Sequence, residues 1–595
     1  MADTIKCKHC GEKRPALGFA PFPNELGRRI ATEICQPCWS GWLQKQTQII
    51  NHYGLPLLGI FFLVGLISYS SILKSFFLSD DFVLIGRVLE GDLSVTWGLG
   101  QGGFFRPIVI LSYVVDSRLW VTNPFGYHLT NVALHTLNSY LVFILSARLM
   151  RRNRHDPAIS FRISVAAGLI FLLLPSHTEA VSWISGRTDL IATLFFLLAL
   201  IFYDLYQQER HILYLAATLV LFTLALFAKE SALCLPLIII AMELSPATRQ
   251  EQAPDFRRAI KTGGMFVLIL LGYFLVRYAA IGTFIGGYGA SHHLSFKLSL
   301  IWERLPKYSA RALMPPLPQH LSFMFLKPFK SRAFITFAVI CTGLLSMLLV
   351  CRHKRETPTK RKQQNVLLFL LLISFLCSLL PVITMGISVF DTSGERFVYL
   401  PSVFTSIAIA YVSVIFITKR KLWLLTIFCL LFFYSAGLYR SNQWWREAAN
   451  LSKSMLDDLV SLSRHDDLLV INAPDSLRGV PVYQNGLEQA LRTFQRSKKI
   501  SHVDVVSYHS LQSTTDVIDV VRESNLFSIR LLNQKAEFSR VDDQVACVGV
   551  LERSKTSLII QLRDCFTGRD VFYFHDGKMV DASHAQSDIQ LRGNQ

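Results

Sequence analysis

Charge is scarce in this chain. Of 595 residues only 17% are Asp, Glu, Lys or Arg, and the acidic ones are scarcer, 42 against 60 Lys and Arg. A chain so poor in charge, 51% hydrophobic and with a mean hydropathy of +0.37, falls outside the range of ordinary soluble proteins. An apolar leader is wanting too. Residues 1–50 are polar and rich in Cys, Lys and Arg, so no cleavable signal peptide is expected and the N-terminus is expected to stay in the cytoplasm. No clear internal repeat is present, which disfavours a transporter built from matched halves. Phe, by contrast, occurs 43 times, a usage suited to lipid-facing helices. The net charge of +18 would suggest nucleic acid in a soluble protein. Here the basic residues sit in short runs between apolar segments, so they read as a topology signal and no nucleic-acid partner is expected.

A spanning helix needs about 20 mostly apolar residues. About eleven candidates are found, near 55–77, 126–149, 162–176, 188–205, 211–228, 231–244, 263–282, 333–351, 366–386, 399–418 and 422–438. Arg151, Arg152 and Arg154 follow the second, and Arg257, Arg258 and Lys261 the sixth. Lys354, Arg355, Lys360, Arg361 and Lys362 follow the eighth, and Lys419, Arg420 and Lys421 the tenth. With alternating spans and a cytoplasmic N-terminus, every cluster falls on the same, cytoplasmic side. The opposite face then carries the unusual polar residues: Asp80, Asp81, Arg106, Asp116, His177, Glu179, Arg187, Asp189, the Lys229-Glu230 corner, His292, His293, Asp391, Glu395 and Arg396. Charges at membrane ends are often only solvated caps. So many on one face predict a polar cavity at the outer boundary. Adjacent His292 and His293 read as an ordinary loop pair, and His177 and Glu179, at i and i+2, do not share a helix face.

Residues 1–54 hold Cys7-Lys-His-Cys10 and Cys35-Gln-Pro-Cys38. Four thiolates at this spacing close a tetrahedral shell around zinc, which supplies folding energy that so short a module cannot draw from a core. Two disulfides are the competing reading, and a reducing cytosol opposes them. From about residue 455 the composition becomes that of a soluble α+β domain. DDLLVINAPDS reads as a buried strand followed by a turn, GLEQALRTFQRS as an amphipathic helix, and VDVVSYH, FSIRLL, VACVGVLE, SLIIQL and VFYFH as strands. Cys547 and Cys565 are candidates for a disulfide on that oxidising side, and simple burial within strand-like runs is the alternative. The tail shows no nucleophile constellation, phosphate loop or metal spacing, and its expected task is to hold or recognise an acceptor.

Two resemblances add to this. Phe19 to Ile30 and Trp39 to Asn51 resemble the small bacterial Fe(II)-trafficking and oxidative-damage-protection family. That family lacks the second CxxC, so the resemblance carries over the module's fold and not iron handling. The stretches FFRPIVILSYVVDSRLWVTNPFGYHLTNVALHTLNSYLVF (104–143), LPSHTEAVSWISGRTDLIATLFFLLALIFY (174–203), LFAKESALCLPLII (226–239) and GERFVYLPSV (394–403) resemble membrane proteins that join a glycosyltransferase-C region to tetratricopeptide repeats, and more distantly protein O-mannosyltransferases. This resemblance covers about residues 55–450, without a downstream 34-residue repeat. It implies transfer of a sugar from a polyprenyl-phosphate donor to an extracytoplasmic protein or glycan acceptor. In that fold the first outer loop carries an acidic motif, which places Asp80 and Asp81 as catalytic candidates, with Asp81 slightly favoured as the general base. Arg106, Glu179, Arg187, Asp189, Lys229, Glu230 and Arg396 are then candidates for the donor-phosphate and acceptor site, and a divalent metal there stays open.

The expectation is therefore a polytopic α-helical membrane protein of about eleven spans, glycosyltransferase-C-like, with an N-terminal four-cysteine zinc module (1–54), a membrane domain (55–450) and an extracytoplasmic α+β domain (455–595). It is expected in a bacterial inner membrane, as an inverting transferase. The alternative is a non-enzymatic transporter or scaffold with a metal-stabilised cytoplasmic domain.

Overall fold

The computed structural model describes residues 4–21, 24–53, 55–97, 103–153, 155–245, 256–284, 298–316, 358–494, 500–514, 516, 518–533, 536–563 and 568–582. The expected span at 333–351, the His292-His293 pair and Cys565 lie outside them. Two compact units are present, residues 1–64 and 65–595.

In the first unit a short antiparallel pair, β1 (Thr4–Lys6) and β2 (Lys13–Pro15), is followed by helices Glu25–Glu33 and Gln36–Tyr53. The first helix starts where the Asn24 side chain accepts a hydrogen bond from the Gly27 amide, a standard N-cap. Trp39 and Trp42 stack at 4.8 Å.

The second unit is mostly helical. Helices Pro107–Trp120, Pro124–Arg152 and Pro157–Leu173 each open with proline at the first helical position, where a missing N–H costs nothing. Asn123 and Asp156 cap the latter two. By length and composition Pro124–Arg152, Ile184–Glu209, Phe256–Ile281 and Arg420–Leu462 are long and apolar enough to cross a membrane. Pro157–Leu173 with Pro175–Val181 forms a fifth, bent by 53°. Helices Pro56–Ser68, Ile212–Leu226, Gln364–Leu379 and Ser402–Phe416 are apolar but shorter. The segment expected at 231–244 contains a helix of only 10 residues, Leu235–Leu244, and the first expected span is helical only over Leu55–Ser68. The result is a multi-pass membrane architecture.

The helix Arg420–Leu462 has 43 residues, about 64 Å at 1.5 Å per residue. That is twice the hydrocarbon thickness of about 30 Å. Its second half, through buried Leu451, Met455, Leu456 and Leu459, packs on a strand-rich C-terminal domain. Asp458 on this helix accepts from the Met579 amide at 3.1 Å. There β3 (Asp467–Leu477), β4 (Val480–Pro481), β5 (His502–Leu511), β8 (Phe538–Val541), β11 (Arg569–His575) and β12 (Lys578–Asp581) make one mixed sheet, ordered β12-β11-β3-β5-β8 with β4 on β3. A second, antiparallel sheet runs β6 (Ile518–Glu523), β7 (Leu526–Leu531), β10 (Ser557–Leu562), β9 (Val548–Arg553). The turn expected inside DDLLVINAPDS falls later, because Ser476 and Leu477 still pair with β4 and β5. The expected helix after Gly486 widens into a π turn over Ala490–Phe494. Cys547 is disulfide-bonded.

His509 on β5 is fully buried against Phe574 and Phe538, and neither ring nitrogen has a hydrogen-bond partner among the described residues. Burial pushes its pKa down to about 3, whereas in the unfolded chain it returns to about 6.5. Between these values only the unfolded chain binds the proton, so stability falls as pH drops from about 6.5 toward 3. His509→Phe is expected to flatten this slope by up to about 1.4 kcal/mol per pH unit. Thermal unfolding of the full chain between pH 4.5 and 7.5 checks it, and equal slopes for both proteins would refute the assignment.

Candidate functional site

The site is built on two places where the chain doubles back. One is the corner Phe77–Asp81 after the first apolar helix. Ser79 sits there at φ 47°, a conformation costly for a residue with a Cβ. Helix Asp80–Leu89 starts at that corner. The other is the segment 174–187 between two membrane helices. It folds so tightly that a Cβ on Gly186 would lie 2.3 Å from the Glu179 carbonyl oxygen. The Asn131 amide holds this segment by donating to the Val181, Trp183 and Ile184 carbonyls.

Asp81 joins the two places. Its Oδ1 accepts from the Ser185 amide at 2.8 Å and from the Ser185 hydroxyl, and its Oδ2 accepts from the Leu78 amide at 3.1 Å. The residue is 1% exposed. Burial pushes its carboxyl up to about 7, against the pull of the Ser185 and Leu78 donors. Asp80 is more open, and its Oδ1 accepts from the Asn485 side-chain amide at 2.8 Å. Asn485 belongs to the C-terminal domain, whose 482–486 turn seats on the corner. The Ser79 amide donates to the Val482 carbonyl at 2.9 Å, and Tyr483 stacks on Phe82 at 5.6 Å.

Arg396 meets the same segment through Trp183 and Glu179. Its guanidinium stands 5.0 Å over the Trp183 ring, and the Trp183 indole donates to the Leu78 carbonyl at 3.3 Å. Glu179 accepts from the Arg396 amide at 2.9 Å and pairs with its guanidinium at 3.5 Å. Lys229 and Arg396 both lie over the Phe397 ring, 5.3 and 5.2 Å from its centroid. The Lys229 ammonium is held by both oxygens of Asp189, at 2.7 and 2.6 Å. Gly394, at φ 76°, lets the 394–398 turn close, since a Cβ there would meet the Gly386 carbonyl oxygen at 2.2 Å. Glu395 behind it is buried and ion-paired with Arg311.

Asp80, Asp81, Glu179, Lys229, Asp189 and Arg396 are thus gathered around the 174–187 segment and the adjoining 394–398 turn. The others are engaged elsewhere. Arg187 is fully buried, paired with Asp116 at 2.6 Å and donating to the Asn131 side chain and the Tyr127 carbonyl. Arg106 pairs with Glu230 at 3.0 Å, which also takes Arg277 at 2.9 Å. His177 hydrogen-bonds the Ser402 hydroxyl at 2.8 Å, wedged between Phe171 and Tyr399. Sequence reading passed over Ser185, Trp183, Asn485, Arg277 and Arg311. Arg277 did carry a signal, a lone guanidinium in an apolar helix. Asn485 carried none.

In the N-terminal unit the four ligand atoms of Cys7, Cys10, Cys35 and Cys38 lie within 4.8 Å of one another. The Cys10 and Cys35 sulfurs are 3.9 Å apart, close to the edge of a tetrahedral thiolate shell with metal–sulfur bonds of about 2.3 Å. Backbone donors, first the Cys35 amide and then that of Cys10, hold the Cys7 thiol down to about 6. Cys38 is pushed up to about 12, chiefly by its hydrogen bond with the Cys35 side chain. The donor set fits a metal.

The fold and the site define a mostly helical, multi-pass membrane protein with an N-terminal four-cysteine module and a strand-rich C-terminal domain. Residues 1–60 match the family model for bacterial Fe(2+) trafficking. The chain is 33% identical over 174 residues to the Drosophila melanogaster protein O-mannosyl-transferase Tmtc1, covering 28% of this chain and 19% of that one. To human protein O-mannosyl-transferase TMTC3 it is 22% identical over 459 residues, 71% of this chain and 47% of that one. The matches thus span less than half the length of these relatives. The structure of ArnT from Cupriavidus metallidurans bound to undecaprenyl phosphate aligns over 85% of this chain and 98% of its own, with 12% identity and a TM-score of 0.38. Both resemblances seen in the sequence are borne out.

Proposed function

We propose that the chain is a membrane glycosyltransferase of the glycosyltransferase-C type, moving a sugar from a polyprenyl-phosphate donor to an extracytoplasmic protein or glycan acceptor. The observation that carries this is one segment, 174–187, that holds a carboxylate corner through Ser185 and an arginine through Trp183. The similarity to proteins named protein O-mannosyl-transferases supports the reaction class. Asp80 is the base, because its carboxylate is open while both oxygens of Asp81 are engaged. Asp81 positions the corner.

In the step proposed, an acceptor hydroxyl oxygen attacks the anomeric carbon as its proton passes to the Asp80 carboxylate. The bond from that carbon to the donor phosphate oxygen breaks, and its electron pair leaves with the polyprenyl phosphate. In this reading Arg396 and Lys229 offset that growing charge. One direct displacement inverts the anomeric centre. In the N-terminal module, Cys7, Cys10, Cys35 and Cys38 would hold zinc, which supplies folding free energy there. The remaining expectations for topology belong to this reading: about eleven spans in a bacterial inner membrane, a cytoplasmic N-terminus and an extracytoplasmic tail.

The test compares extracytoplasmic glycans and glycoproteins from cells with and without the protein. Deletion is expected to remove at least one glycoform while polyprenyl-phosphate sugar accumulates. Unchanged glycoforms and donor levels would overturn the proposal.

A further inference from the structure

A second cluster of charge lies at the C-terminal end of the helix Pro124–Arg152. The last turns of Pro124–Arg152 and of Arg187–Glu209 enclose a cavity of about 130 Å³ lined by Arg148, Arg151, Arg152 and Gln208. Among the described residues one carboxylate, Asp204, is ion-paired with this group. It pairs with Arg148 and, at 2.7 Å, with Arg152, and it takes the Gln208 amide at 3.0 Å. Arg152 spends its other nitrogens on the Asp204 carbonyl at 2.7 Å and the Gln207 side chain at 3.0 Å. Nη2 of Arg148 is buried without a hydrogen-bond partner among the described residues. Arg151 is exposed and, among the described residues, makes only a long contact, 3.4 Å, to the Ala147 carbonyl. Arg210 adds another positive charge beside Arg152. The next carboxylate, Glu243, is taken by Tyr203 and Gln207 at 2.8 and 2.9 Å and by Arg258 at 3.4 Å. Three guanidinium groups line the cavity with, among the described residues, one carboxylate paired to them, so positive charge is in excess there and favours an anion.

The depth of the cavity says which anion. A helix of 29 residues is about 43 Å long, close to the full bilayer thickness of about 40–45 Å with headgroups. When its apolar body spans the hydrocarbon, its last turn lies in the headgroup layer, where phosphodiesters are concentrated. Planar guanidinium groups suit phosphate oxygens. We propose that this arginine cavity binds the phosphate of an anionic phospholipid. The site is independent of the proposed transfer reaction.

The experiment titrates purified full chain in detergent with phosphatidylglycerol, phosphatidylcholine or inorganic phosphate. Bound lipid is read by native mass spectrometry, and thermal unfolding is read alongside. Phosphatidylglycerol is expected to be retained in preference to phosphatidylcholine and to raise the unfolding temperature. Arg151→Gln, which removes an exposed side chain, is expected to weaken that retention about tenfold, the scale of one charged hydrogen bond, with unfolding unchanged in lipid-free detergent. Arg148→Gln is a second variant, with Asp204 still held by Arg152. Equal retention of the two lipids, or undiminished retention in Arg151→Gln, would overturn the proposal. Stabilisation by inorganic phosphate matching that by phosphatidylglycerol would overturn the lipid assignment.

Discussion

Asp80→Asn is expected to lower the rate of sugar transfer by about 10²–10⁴-fold, the usual contribution of a general base, with little loss of stability. The Asn485 amide that bonds the Asp80 carboxylate finds a side-chain amide oxygen in its place, so the corner keeps its contact with the C-terminal domain. Only the proton acceptor is lost. Asp81→Asn separates chemistry from architecture. The Oδ1 and Oδ2 of Asp81 together accept from two backbone amides and a hydroxyl, and an amide cannot accept at both ends. That variant leaves a buried donor unsatisfied, at a cost of about 1–3 kcal/mol. It is therefore expected to lose stability and activity together. Donor-dependent transfer and thermal unfolding of each purified variant check this. Full activity in Asp80→Asn would remove the base assignment.

Cys35→Ser is expected to unfold residues 1–53 while the larger unit persists. Structural zinc supplies about 10–16 kcal/mol to small modules at neutral pH, and the described core of this one offers little else, with Cys7, Leu17, Cys35 and Trp39 its buried hydrophobic residues. A serine cannot replace a thiolate in a closed four-sulfur shell. Elemental analysis should show loss of one bound metal per chain, and limited proteolysis should trim the chain to a fragment starting near the first membrane helix. A chelator should reproduce both effects in the wild type. Metal retained by Cys35→Ser would contradict the four-cysteine site.

The elements most legible in the sequence were those set by local chemistry. Long apolar runs became helices because a backbone in lipid must satisfy its own hydrogen bonds. The basic clusters had a visible logic too, since Arg152 and Arg258 lie at one end of the bundle, linked through Gln207 and Glu243. Span lengths were less legible. Hydropathy extends 55–77 as one run, but the helix stops at Ser68 so that the chain can turn toward Asp80. The 162–176 run likewise bends at Pro175, where proline cannot continue the ladder. Strands β6, β8 and β12 were missed because short edge and polar segments carry little alternation.

Residue type and spacing were enough to mark Cys7, Cys10, Cys35 and Cys38 as one metal-binding set and Asp80 and Asp81 as an exceptional pair. What each of these charges pairs with was decided by the tertiary structure alone. Arg187 and Arg396 look equivalent in sequence, yet one is enclosed by Asp116, Asn131 and Tyr127, and the other stands over Trp183 at the edge of the cluster. Asp80 and Asp81 are neighbours, yet Ser185 claims one and Asn485 meets the other. These partners are distant in the chain, and a charge's desolvation and pairing depend on what the fold brings beside it.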